Sequence, residues 1–127
     1  MGNTDDLLRG KRILIVDDEP LLAFDMARMV EQEGGEVIGP ALSLPEAARL
    51  AEESELDAGL LDIDLDGAWI WPVAHGLLIA GTPFAFISAQ TAQEDIPSEF
   101  ANADYLPKPA SERRVIGLLR EIMRRAA

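Results

Sequence analysis

Short apolar runs alternate with amphipathic stretches along the whole chain. In KRILIVDD, residues 13–16 form an apolar, largely β-branched run too short for a helix and ending in acid, which predicts a buried strand. Pro20 then suits a first helical turn, and Leu22, Met26, Met29 and Val30 recur at i, i+4, i+7 and i+8. An amphipathic helix is expected up to Gly34-Gly35. EVIG, residues 36–39, predicts a second strand. Ser43 stands three residues before Glu46 with Pro45 in between, a capping box that opens a second helix over Leu44 to Glu53. DAGLL at 57–61 predicts strand three, residues 69–80 a third helix with Trp69 to Pro72 at its mouth, and FAFI at 84–87 strand four. Pro97 interrupts 91–102, so only a short or irregular helix is expected there. ADYL at 103–106 predicts strand five, and Val115, Leu118, Leu119 and Ile122 share one face of a closing helix.

Strands alternating with helical stretches describe a doubly wound α/β domain. Its strands are expected to be parallel and covered on both faces, which is why they read as continuous apolar runs. Residues 1–10 read as a flexible N-terminal segment and 11–127 as the domain, with no repeat, low-complexity tract or linker. Ligands of such sheets bind beyond the carboxyl ends of the strands, where strand order reverses. The conspicuous polar residues fall there: Asp17, Asp18 and Glu19 after strand one, Asp62 and Asp64 after strand three, Ser88 after strand four, Lys108 after strand five.

Carboxylates gathered this closely repel one another by about 4 kcal/mol per pair at an effective dielectric of about 20, which calls for a cation. With oxygen donors alone the expected ion is Mg2+ or a relative. A metal and a lysine around one carboxylate suggest phosphoryl transfer, and a carboxylate is a competent nucleophile for phosphorus. Asp66-Gly67 reads as a turn pair.

Composition narrows the alternatives. The 127 residues fit one domain, and 48% apolar content is ordinary for a globular chain. With no cysteine and a single histidine, His75, disulfides, thiolate metal sites and Cys/His nucleophiles are excluded. A net charge of −12, from 23 acidic and 11 basic residues, disfavours direct nucleic-acid binding. Arg113, Arg114, Arg120, Arg124 and Arg125 read as a solvated helix face. No apolar run approaches the roughly 20 residues needed to cross a bilayer. MGNTDDLLRG has no signal-peptide pattern, and Asp6 replaces the Ser or Thr of a myristoylation signal, so a cytoplasmic location is expected.

Four motifs in order, ILIVDDEP, LLDIDLDG, FISAQ and YLPKP, give the chain a strong resemblance to the receiver domain of two-component response regulators over almost its whole length. The resemblance implies a flavodoxin-like sheet of order 2-1-3-4-5. It implies that Asp62 accepts a phosphoryl group from a histidine kinase or a histidine phosphotransfer protein. Asp18 would then ligate Mg2+ directly and Asp17 through water, with the Asp62 carboxylate and the backbone carbonyl of Asp64 completing the protein's share. Lys108 would pair with Asp62 and later with a phosphate oxygen, Ser88 would hydrogen-bond the phosphate, and Tyr105 would turn inward as the signal. The small Ala89 would leave phosphate access open, and Lys108-Pro109 resembles a cis bond of the family. As a stand-alone receiver the protein would act by binding an unknown downstream partner, not as a turnover enzyme. Three features depart from the pattern: a shortened stretch between Ser88 and Lys108, Ala110 where an aromatic is customary, and the tryptophans Trp69 and Trp71. Two other readings stand beside this one. DIDLDG also resembles the motif of haloacid-dehalogenase-type phosphatases, although the second acidic pair lies upstream, and the chain could be a receiver-like module that is never phosphorylated.

Overall fold

The computed structural model describes residues 7–89 and 96–126. The chain runs β1 (Arg12–Val16), α1 (Pro20–Gln32), β2 (Glu36–Ala41), α2 (Leu44–Glu53), β3 (Ala58–Leu61), β4 (Asp64–Leu65), β5 (Ala68–Trp69), α3 (Trp71–Ala80), β6 (Phe84–Ser88), β7 (Asp104–Pro107) and α4 (Glu112–Ala126). Five strands form one parallel sheet in the order β2-β1-β3-β6-β7. This is the expected 2-1-3-4-5 arrangement, with β4 and β5 set apart as a separate two-stranded hairpin.

Side chains on a strand alternate between faces. Ile13, Ile15, Ala85 and Ile87 therefore pack with Met26, Met29 and Val30 of α1 and Val115, Leu119 and Ile122 of α4. Leu14, Val16, Phe84 and Phe86 face the other way, onto Ala47 of α2 and Val73 and Leu77 of α3. Both faces are covered, so apolar side chains line both sides of the central strands β1, β3 and β6. Leu118, expected on the buried face of α4, is half-buried at its edge, while Ile116 and Met123 are buried.

Caps fix the helix starts. The Ser43 hydroxyl accepts from Glu46 N at 3.3 Å, and Glu46 Oε1 reaches back to Leu42 N at 3.0 Å, one residue ahead of the usual capping-box partner. In β2, Gly39 has φ of 107°, and a Cβ there would stand 2.7 Å from Ala41 N. Only glycine fits this bend, which coincides with a shift in the β1–β2 register between Leu14 and Val16.

Two expectations are corrected. The third helix begins at Trp71 rather than 69, because residues 64–69 form a hairpin whose central pair, Asp66 and Gly67, has φ of 54° and 92°. Such a two-residue turn matches strand twist, but its two-residue strands are too short to show any alternation. Of the N-terminal segment 1–10, residues 1–6 lie outside those described, and residues 7–10 are a packed turn instead of flexible chain: Leu8 is buried, and Gly10 N donates to Gly34 O at 2.9 Å. Of the stretch 91–102, residues 91–95 lie outside those described, and the remainder holds the short helix expected, a 3-10 turn at Ser98–Phe100 with Phe100 buried.

Candidate functional site

Parallel register brings the strand ends into line. Val16 pairs with Leu61, Leu61 with Phe86, and Ser88 with Pro107. One residue further on, Asp62 N donates to Val16 O at 2.9 Å and Lys108 N to Ser88 O at 3.0 Å. Asp17, Asp62, Ser88 and Lys108 thus leave the sheet side by side, with Asp17, Asp62 and Ser88 buried.

The Asp62 carboxylate is held at both oxygens. Ser88 Oγ donates to Oδ1 at 2.6 Å, Ile63 N donates to the same oxygen at 2.8 Å, and Lys108 Nζ donates to Oδ2 at 3.0 Å. The Lys108 ammonium also lies 2.8 Å from Asp17 Oδ2 and 3.2 Å from Glu19 Oε1. Asp17 Oδ1 accepts from Glu19 N at 2.9 Å, whereas its buried Oδ2 has the ion contact with Lys108 but no aligned hydrogen bond.

Charge balance follows. Burial holds the Asp17 carboxyl above the usual carboxylate range, against the opposing pull of Lys108. Asp18, half-buried, is raised by burial and then by the charge of Asp62. Burial alone would lower Lys108, but its close contacts with Asp17 and Asp62 and their charges outweigh it, so the amine stays protonated well past the ordinary lysine value. Carboxylate oxygens of Asp17, Asp18, Glu19 and Asp62 lie within 4.8 Å of one another, and the one ammonium beside them contacts three of the four. That excess of negative charge and the all-oxygen donor set suit a hard divalent cation.

The other expected site residues divide. Tyr105 is half-buried, its hydroxyl donates to Ser88 O at 3.0 Å, and burial followed by the Asp62 charge raises its pKa. The Asp64 side chain turns away to accept from Gly67 N at 2.8 Å, fastening the hairpin, and is not among the clustered carboxylates. The Lys108-Pro109 bond is cis, as the resemblance implied. Trp71 packs on Phe86 and Phe100 with ring centroids 5.7 and 5.6 Å away, while Trp69, 40% exposed, stacks on Trp71 at 6.0 Å. Both tryptophans belong to an aromatic cluster beside the site. The resemblance assigns Glu19 no role. Its signal was the third acid of DDE at a strand end, and the structure puts it on Lys108.

No family model matches the chain. A sensory transduction protein of Mycolicibacterium smegmatis, RegX3, is 33% identical over 120 residues, which cover 91% of this chain and 51% of that protein. The crystal structure of a CheY-like response regulator receiver domain protein from Methanospirillum hungatei superposes with a TM-score of 0.81 at 25% identity, over 92% of this chain and 96% of that one. The chain is a response-regulator receiver domain. A further receiver domain, from a sensor histidine kinase of Pseudomonas aeruginosa, shares the fold at 22% identity and a TM-score of 0.76, covering 90% of this chain and 98% of that one. Its crystal structure has a magnesium ion coordinated in the active site cleft. The receiver described here spans about half the length of RegX3. Among its described residues no helix is long and apolar enough to cross a membrane.

Proposed function

We propose that Asp62 accepts a phosphoryl group from a phosphohistidine on a histidine kinase or a histidine phosphotransfer protein, and that the modified receiver presents a changed surface to a downstream protein. The observation that carries this reading is the shared grip on Asp62, with Ser88 Oγ at 2.6 Å from one oxygen and Lys108 Nζ at 3.0 Å from the other. A carboxylate oxygen attacks phosphorus, the phosphorus–nitrogen bond to the donor imidazole breaks, and that nitrogen keeps the electron pair. Ser88 and Lys108, already aimed at Asp62, pass to oxygens of the transferred group. Tyr105 is bonded to the carbonyl of Ser88, so a displacement of Ser88 is transmitted to its ring.

Asp17, Asp18 and Asp62, with the Asp64 carbonyl, would hold Mg2+, whose charge offsets that of the phosphoryl oxygens. The magnesium in the related Pseudomonas aeruginosa receiver supports this assignment. Because the acceptor is consumed by modification, the protein takes up one phosphoryl group and is not a turnover enzyme. Incubation with phosphoramidate or acetyl phosphate and Mg2+, followed by intact-mass measurement, tests the proposal. A single adduct on the wild-type chain and none on Asp62→Asn is the expected result. An adduct that survives Asp62→Asn, or no adduct on either chain, would overturn it.

A further inference from the structure

We propose that Glu19 is a positioning residue for Lys108, an inference that rests on the phosphoryl-transfer reading above. A lysine ammonium has three N–H donors, and here three carboxylates surround it: Asp17 at 2.8 Å, Asp62 at 3.0 Å and Glu19 at 3.2 Å. They are not equivalent. Asp17 and Asp62 are buried on strand ends and belong to the proposed cation and acceptor site. Both must give up their hold on the lysine as the cation and the phosphoryl group claim their oxygens.

Glu19 lies in the same carboxylate cluster but, unlike Asp17 and Asp62, is exposed and is not assigned to the acceptor or the cation above. Its side chain is 60% exposed and approaches Lys108 from the solvent side, while that of Lys108 is only 12% exposed. Its backbone is fixed twice, since Glu19 N donates to Asp17 Oδ1 at 2.9 Å and Glu19 O accepts the first bond of α1 from Ala23 N at 2.9 Å. A pinned backbone with a reaching carboxylate keeps the ammonium at the pocket mouth during the step in which its two buried partners let go. Without it the flexible lysine stem has to be ordered by the phosphoryl group itself. A simple field effect has the opposite sign, because removing a negative charge favours an incoming anion.

The test compares phosphoryl uptake from phosphoramidate with saturating Mg2+ in wild type, Glu19→Gln, Lys108→Met and the double variant. Glu19→Gln is expected to slow uptake about two- to five-fold, the range of an exposed ion pair. The same change should have no effect once Lys108 is Met. Equal or faster uptake by Glu19→Gln, or the same slowing without Lys108, would overturn the inference. A second measurement needs no donor: exchange of the Lys108 ammonium protons with water, followed by NMR, is expected to quicken in Glu19→Gln. Unchanged exchange would overturn the inference whatever the kinetics. If the wild type takes up no phosphoryl group at all, the acceptor reading fails, and the exchange measurement still decides whether Glu19 holds Lys108.

Discussion

Strand β6 separates two regions of opposite character. Its last residue, Ser88, points into a pocket where the carboxylates of Asp17, Glu19 and Asp62 share one lysine and Asp18 stands close by. Two residues earlier Phe86 packs edge-on against Trp71, Phe84 and Phe100, with centroid distances of 5.7, 5.5 and 5.9 Å. The aromatic side gains by burying apolar area. The acidic side carries carboxylates raised by burial and an oxygen with no aligned donor. A strand end can therefore hold strained electrostatics because the strand behind it is anchored in an apolar layer, and ligands that satisfy those electrostatics gain binding energy in return.

The contrast can be broken first on its apolar side. Phe86→Ala should destabilise the protein by about 3–5 kcal/mol, the usual cost of deleting a buried phenylalanine, as read by urea denaturation. A loss below about 1 kcal/mol would mean that the aromatic layer is not what anchors β6.

A smaller effect probes the pocket. Mg2+ at ten times its dissociation constant should stabilise the wild type by about 1.4 kcal/mol, seen as a rise in Tm. Asp17→Asn should lose most of that rise, and the core variant Phe100→Leu should keep it. Equal rises in all three proteins would place the ion elsewhere.

The smallest expected effect is in pH dependence. Asp18 has its folded pKa raised above 3.8, so between 3.8 and that higher value the folded state binds more protons than the unfolded one. Its contribution to stability is therefore greatest at the acid end and falls as pH rises through this window. Removing the charge with Asp18→Asn should make the variant more stable than wild type at neutral pH, by less than about 1 kcal/mol, with the gap closing towards pH 4. Denaturation midpoints at several pH values would show it, and a gap of the reverse sign would mean that Asp18 is stabilised, not strained, by its neighbours.

Some of this was legible before folding. The five apolar runs, the Ser43 cap and the acids and lysine at strand ends are local patterns, and each fell where the chain suggested. The β4–β5 hairpin was not legible, since two-residue strands leave no period to detect and only the Asp66-Gly67 turn betrays them. Nor was the turn at Leu8, whose burial depends on the distant end of α1.

The sequence by itself determined the order of the five sheet strands and the helices and which chemical groups stand at the strand ends, because hydrophobic period and turn residues act over a few positions. Tertiary structure decided which of those groups meet. Register between parallel strands set Lys108 on Asp62 and Asp17 and recruited Glu19. Such pairings are long-range contacts whose distances no local pattern encodes.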